Sequence, residues 1–403
     1  MGVSSNTLLT PTIIAKETLL QLTNSMSMSK HVYTAYKNEF VKVGSTITVR
    51  KPNKFRAIKQ VARSNTNITE PSTSITVDTQ AQVSWAFSSQ ELTLTIDEYS
   101  KRYIQPAALA LANQVDTDLC GLYKDVYQSA GTPGTTPATF AALGDAQRML
   151  DDAGAPSDRR VAIVNPKTNW ALADGLKGTF AQNVAKDIIT KGYLGTIANL
   201  SIYMDQNVVR HTTGITQTAS TPVVNGDTPV VTGATTLATE GWASSAGTVT
   251  AGDVFTIAGV FDVNPMSGAS TGELKKFTVR TARTSTGVNL LLDISPTIVY
   301  GSTNAYSNVN SLPANHAALT FIGTESTAYP QNLIFHENAF ALVTVPLEIP
   351  SGVWGARETD PEAGLSCRVV KQYSIEDDNE VIRLDVLYGI KTLYPELSVR
   401  LWG

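Results

Sequence analysis

The sequence predicts an α+β fold interrupted by a self-contained all-β segment. Three observations carry the prediction. An apolar stripe, Ile104, Ala108, Leu111, Val115, Leu119, Leu122 and Val126, recurs at spacings of four and three, the signature of a half-buried helix. An alternation places Ile75, Val77, Thr79, Ala81, Val83, Trp85 and Phe87 on odd positions, the signature of a strand. Helical patterning then vanishes from about Thr213 to Ser302. That region is Thr, Val, Gly and Ala, broken by turn signals such as Asn225-Gly226-Asp227, Gly252-Asp253 and Ser285-Thr286-Gly287.

In chain order, Thr10-Pro11 reads as an N-cap followed by proline at the first helical position. Ile13, Ile14, Leu19, Leu20 and Leu22 then give a short apolar helix that fades at Asn24-Ser25. It is an arm with no core of its own, so it must dock on something. TITVRKP and the alternation ending at Phe87 read as two arms of one ribbon, the longer roughly 40 Å at strand rise. Its tip, SNTNITEPSTS, is polar. A lone two-stranded ribbon is marginal in water, so a second chain is expected to support this one.

Asp97 to Ser129 reads as a helix of roughly 50 Å, started or kinked at Pro106 and ended by GTPGTTP. Phe140, Leu143, Ala146, Met149 and Leu150 mark a helix stopped by Gly154; RRVAIVNP is a buried strand. Asn165-Pro166 caps a further helix, AKDIITKG is another, and YLGTIANLSIYMDQNVV is a glycine turn with a strand. In the all-β segment the strand candidates are PVVTG, GTVTA, DVFTIAGVFDV, LKKFTVRTAR and VNLLLDISPTIV, and GDVFTIAGVFDV reads as strand, tight bend, strand. NLIFHENAFALVTVPLEIP returns to mixed structure, and LSCRVVKQYSI and EVIRLDVLYGIKTLY flank the turn EDDNE. The β segment is thus an insertion into one mixed domain, tolerated where a loop's ends lie close together.

Composition narrows the function. The 403 residues are 42% hydrophobic but only 16% charged, below the globular norm of roughly 25%, which suits a surface hidden by repeated subunit contact. The net charge of −4 argues against a dedicated nucleic-acid binder. Cys120 and Cys367 make no disulfide framework or zinc pattern, the N-terminal stretch lacks a signal peptide's basic and apolar regions, and no run of about 18 apolar residues exists.

Phosphate-loop, metalloprotease, nucleophile-elbow and dinucleotide motifs are absent from the sequence. His31, His211, His316 and His336 have no second His or Cys at metal-ligand spacing, so each reads as structural, His336 beside Glu337 included. EDDNE lacks the ligand order of a calcium loop and reads as a polar hairpin turn. Cys120 reads as a small core residue. No catalytic, cofactor or metal residue is assigned, and a structural protein rather than an enzyme is expected.

The first ribbon arm is basic. It carries Lys42, Arg50, Lys51, Lys54, Arg56, Lys59 and Arg63, with no acid between Glu39 and Glu70. This patch faces acidic groups on a neighbouring subunit or nucleic acid, or it is a solvated face that deters edge pairing. Asp116, Asp118 and Asp125 of the long helix could receive such an arm, or simply face water.

The order of parts resembles the HK97-like capsid fold of tailed-phage major capsid proteins. IQPAALALANQVDTDLCGLYKDV is similar to their spine helix, KGYLGTIANLSIYMDQNVV to an axial-domain turn and strand, and LIFHENAFALVTVPL to a later helix-strand segment. GDVFTIAGVFDV and FTVRTARTSTGVNLLLDISPTIV resemble the inserted β-barrel domain of P22-like coat proteins. The resemblance implies an N-terminal arm over 1–40, an extended β loop over 41–96 and a spine-helix peripheral domain over 97–136. It then implies an axial domain over 137–212 and 304–385, the inserted barrel over 213–303, and a C-terminal peripheral strand and tail over 386–403. It also implies a homo-oligomer of pentamers and hexamers in an icosahedral shell, assembled in the bacterial host cytoplasm. A scaffolding protein and a portal protein are its implied partners, and double-stranded DNA is enclosed without sequence-specific binding. No cofactor is implied. A β-rich tail or receptor-binding protein remains the alternative, and an enzyme with an unrecognised site on the mixed domain is a further open class.

Overall fold

The structure, a computed structural model, describes residues 11–36, 46–56, 70–88, 100–176, 194–214, 222–242, 247–285, 287–301, 304–360 and 365–403. Two compact units are woven from segments distant in sequence. One comprises Met1–Val49, Ser72–Leu119 and Phe340–Lys391; the other comprises Arg50–Pro71, Cys120–Ala339 and Thr392–Gly403.

The first unit is built on a sheet ordered Phe340–Thr344, Asn379–Thr392, Leu365–Ser374, Trp354–Asp360, with Thr79–Ser88 also paired to Asn379–Thr392. Helix α1 (Pro11–Ser25) packs on the strands Trp354–Asp360 and Leu365–Ser374 and buries Ile14, Ala15 and Leu22. The apolar arm therefore docks on its own chain. The single long ribbon is also corrected. Only Ser72–Thr76 pairs with Thr46–Arg50, while Thr79–Ser88 runs along the sheet from Thr79 opposite Tyr388 to Ser88 opposite Asn379. Its alternation records one half-buried sheet face, a pattern that a free ribbon and a packed strand share. Of the tip SNTNITEPSTS, residues 64–69 lie outside the described residues, and its last three residues belong to the strand Ser72–Thr76.

Helix α2 (Gln105–Cys120) carries the predicted stripe, with Ala108, Leu111, Val115 and Leu119 buried. It is shorter than expected, roughly 24 Å at helical rise. A π-helical turn, Ser100–Ile104, precedes it, Pro106 sits in its first turn, and a 3-10 turn, Gly121–Asp125, follows. A 3-10 turn keeps apolar residues near a helical spacing, so Val126 stays buried although the α-helix has ended.

The second unit has a mixed sheet in the order Ser129–Ala130, Ser398–Trp402, Ala328–His336, Arg160–Val164, Leu200–Met204, Thr196–Ile197. Helix α3 (Phe140–Asp152) closes over a core of Leu143, Ala146, Leu150, Ala162, Val164, Leu172, Ile334, Val399 and Leu401. Thr139 caps it, its hydroxyl accepting from the Ala142 amide at 3.3 Å, and Gly154 ends it at φ +75°. Thr139→Ala is expected to cost about 1 kcal/mol in a urea melt, the usual worth of an N-cap. Helix α4 (Pro166–Leu176) starts as predicted, Asn165 Oδ1 accepting from the Thr168 amide at 2.9 Å. The AKDIITKG helix lies outside the described residues.

LIFHENAFALVTVPL contains no α-helix. It forms the strand Ala328–His336, one 3-10 turn and the strand Phe340–Thr344. Both strands are buried on each face, and a run apolar on both faces carries no period to separate helix from strand.

The β insertion forms a sheet ordered Leu319–Phe321, Val254–Val263, Ser270–Val279, Leu290–Ile298, Ala234–Glu240, Val223–Val224. Its ends meet: Val224 N donates to Ala317 O and Leu319 N to Pro222 O, both at 2.9 Å. Phe255, Phe277 and Phe321 fill the middle, with ring centroids 5.2 to 5.8 Å apart. GDVFTIAGVFDV holds one strand rather than two. The predicted bend is a register break between Thr256 and Phe261, with Gly259 at φ +78°. PVVTG is a turn region, and the neighbouring Ala234–Glu240 is the strand. The insertion also passes the expected boundary at 303, because Val309, Leu319 and Phe321 complete its core.

Candidate functional site

At the root of the insertion, chain segments far apart in sequence converge on buried polar groups of the second unit. Gly252-Asp253 opens the first long insertion strand. Gly252 has φ +104°, and a Cβ there would meet Tyr123 Cε2 at 3.1 Å and His211 Cε1 at 3.3 Å, so only glycine fits. Arg400, on the last strand, is fully buried. Its guanidinium donates to Val126 O at 2.6 Å, Gly252 O at 2.7 Å and Thr278 Oγ1 at 3.0 Å. It also lies over the Tyr123 ring at 5.6 Å. Burial pulls its pKa down to about 10, so it is still protonated at neutral pH.

Asp253 completes the junction. Its carboxylate accepts from the amides of Thr250 at 2.7 Å and Gly214 at 3.2 Å, and meets His211 Nε2 at 2.8 Å. A carboxylate only accepts, so Nε2 carries the proton and Nδ1 accepts from the Tyr123 hydroxyl at 3.1 Å. Burial pushes the Tyr123 phenol up, which keeps it a donor. The partners of His211 are far away in sequence. Arg400 was missed. Its signal is one arginine in SVRLWG between Val399 and Leu401, both fully buried. The junction is a clamp: four polar side chains fix where the insertion leaves its host.

The candidate contact residues are the aspartates and the cations. Asp116, Asp118 and Asp125 do not stand free for a neighbour. Asp116 is buried and accepts from the amides of Ser27 at 2.6 Å and Ser29 at 3.2 Å. Asp118 accepts from Gln114 Nε2 at 3.0 Å and from the Tyr388 hydroxyl. Asp125 pairs with Arg280 at 3.3 Å. The helical pattern could not distinguish a solvent-facing carboxylate from one that serves a distant loop. Of the cations, Arg50 pairs with Glu70 at 3.2 Å in the open, and Lys54 is exposed. Lys51 sits 4.7 Å over the Tyr394 ring, and burial lowers its pKa. Arg56 packs on Gly268. Lys59 and Arg63 lie outside the described residues.

Apart from the candidates, the first unit exposes a patch that no single motif announced. Trp354 (73% exposed), Tyr373 and Ile375 (86%) stand beside the turn of Glu376, Asp377 and Asp378. EDDNE is the hairpin turn expected, tied by Tyr373 Oη donating to Asp378 Oδ1 at 2.7 Å. Cys120 and Cys367 are buried, and burial pushes the Cys367 thiol up to about 12, which makes it inert. Among the described residues no group of three or more His, Cys, Asp or Glu could hold a metal ion, and no helix is long and apolar enough to cross a membrane.

The family described as P22 coat protein, gene protein 5, matches residues 3–403. The chain belongs to the P22 coat protein family. Solved structures similar to this coat protein include a chain from Mycobacterium phage Che8, 14% identical, covering 93% of this chain and 90% of that one at TM-score 0.49. The capsid of Ralstonia phage GP4 is 10% identical, covering 94% of this chain and 88% of that one at TM-score 0.44. The CUS-3 coat protein I-domain is 27% identical, covering 27% of this chain and 99% of that one at TM-score 0.20. No curated protein matches. The coat protein is a major capsid protein: copies assemble with one another into a phage shell, and its place is the virion. The tail or receptor-binding alternative is not favoured.

Proposed function

We propose that shell assembly uses the cations of the ribbon against the acidic, aromatic patch on a neighbouring copy. Arg50, Lys54, Lys59 and Arg63 supply the charge, and the Glu376–Asp378 turn with Trp354 and Tyr373 receives it. The supporting observation is complementarity: exposed cations around Phe55 (71% exposed) match exposed acids around Ile375, whereas Asp116 is buried and Asp118 and Asp125 are half-buried. A scaffolding protein and a portal protein guide assembly in the host cytoplasm, and the net charge of −4 lets the shell enclose double-stranded DNA without gripping its sequence. The division keeps the arm, loop, peripheral and first axial segments at the boundaries given above, with the insertion lengthened to 213–321 and the second axial segment beginning after it.

Like charges brought together across an interface cost several kcal/mol, and rim charges act on encounter. Arg50→Glu with Lys54→Glu is therefore expected to leave folded subunits whose critical concentration for assembly rises about tenfold or more. Adding Glu376→Lys and Asp377→Lys restores part of the loss. Sedimentation and electron microscopy of the two variants check this; wild-type assembly by the first rejects the contact.

A further inference from the structure

The base of the ribbon is seated on the same chain's insertion, at two points. Lys54 N donates to Tyr306 Oη at 3.2 Å, and that hydroxyl donates to Asn53 Oδ1 at 3.4 Å. Arg56 lies against the Gly268 backbone so closely that a Cβ on Gly268 would come within 2.5 Å of Nη1. Both seats belong to turns fixed from within the insertion. Tyr306 N donates to Asn304 Oδ1 at 2.9 Å, and Asn308 returns to the strand end through Val299 N at 2.9 Å and Thr297 O at 2.7 Å. Asn264 Oδ1 accepts from Met266 N at 2.9 Å and Ser267 N at 3.1 Å, and Gly268 N closes on Asn264 O at 2.8 Å. At the first seat lies a cleft of about 160 Å³ whose lining includes Lys54, Pro265, Pro296 and Tyr306.

We propose that the insertion is the seat of its own subunit's ribbon, and sets the direction in which the ribbon leaves before any neighbour arrives. Two fixed points define a line, so residues 53–56 cannot swing as a free stem would. Below them, Lys51 N donates to Pro71 O at 2.8 Å and holds the two ribbon strands together. Ordering the stem inside the free subunit removes that entropy loss from the association step, which is how preorganisation raises affinity without a new contact. It also gives the insertion a task in assembly beyond filling its own core. Only the assembly consequence rests on the ribbon being the arm that meets a neighbour; the seat itself does not.

The test uses unassembled, full-length subunits and hydrogen exchange. In the wild type the Lys54 amide is expected to exchange at least about fivefold slower than in an unfolded chain, the effect of one modest hydrogen bond. Tyr306→Phe with Arg56→Ala should remove that protection, leave the Phe255 and Phe277 amides protected, and give shells of lower yield and irregular size. Tyr306→Phe alone, which deletes one oxygen, replaces the pair if the core amides lose protection. A Lys54 amide exchanging at the unfolded rate in the wild type overturns the seat. Regular shells at wild-type yield from a variant that has lost the protection overturn its role in assembly. Loss of the contact with the acidic patch, with Lys54 still protected, rejects that contact and leaves the seat standing.

Discussion

Arg400→Ala lowers the unfolding free energy of the second unit by about 3–5 kcal/mol, the range for breaking one side of a buried charged network. The loss has three parts. Val126 O, Gly252 O and Thr278 Oγ1 are left without their donor in a dry site, the contact over the Tyr123 ring is lost, and a cavity opens beneath Trp402. Against a typical total of about 5–15 kcal/mol, this sends most subunits to aggregates rather than shells. Arg400→Lys keeps a charge but not the fork that reaches three acceptors, so it recovers only part of the loss. Urea unfolding followed by the fluorescence of Trp402 checks both; an alanine variant within 1 kcal/mol of wild type, on the scale of an ordinary surface change, would falsify the clamp. Because the folded pKa of about 10 lies below the unfolded value, the unfolded chain binds more protons above that pH. The contribution of Arg400 is therefore flat through neutral pH and rises only as pH passes about 10.

Asp385→Ala destabilises the first unit by about 3 kcal/mol. The carboxylate is fully buried and accepts from Arg368 Nη2 at 2.5 Å and Nε at 3.1 Å, Arg383 Nε at 2.7 Å and Gln80 Nε2 at 3.0 Å. These donors lie on three strands of one sheet: Thr79–Ser88, Leu365–Ser374 and Asn379–Thr392. Alanine leaves two guanidinium groups facing each other without their counter-charge. Asp385→Asn keeps an acceptor but loses the charge, so it falls between. Hydrogen exchange separates this effect from the first. Amides of Val369 and Leu384 should lose protection while Ile334, in the other unit, keeps it. Equal loss at all three would show that the carboxylate does not act locally.

Much of this protein was legible in one dimension. The stripe of α2, the Asn165-Pro166 cap, the helix stop at Gly154, the EDDNE turn and the all-β character of the insertion follow from local rules of period, capping and turn chemistry. Those rules act over a few residues, and nothing elsewhere in the chain overrode them. The errors share a cause as well. The alternation through Phe87 shows that one face is covered, not what covers it. The buried run around Phe340 has no polar side from which to read a period. The carboxylates of α2 face partners whose approach no spacing records.

The sequence by itself determined the fold class, the presence of an insertion and the absence of any recognised catalytic motif, because periodicity and composition are properties of neighbouring residues. Only the tertiary structure decided that Arg400, Tyr123, His211 and Asp253 form one clamp, that Asp116 serves Ser27 and Ser29, and that Tyr306 holds the ribbon's base. Those pairings join positions separated by tens to hundreds of residues. A buried polar group must find its partner wherever the folded chain brings one, and that place is not written in the residues beside it.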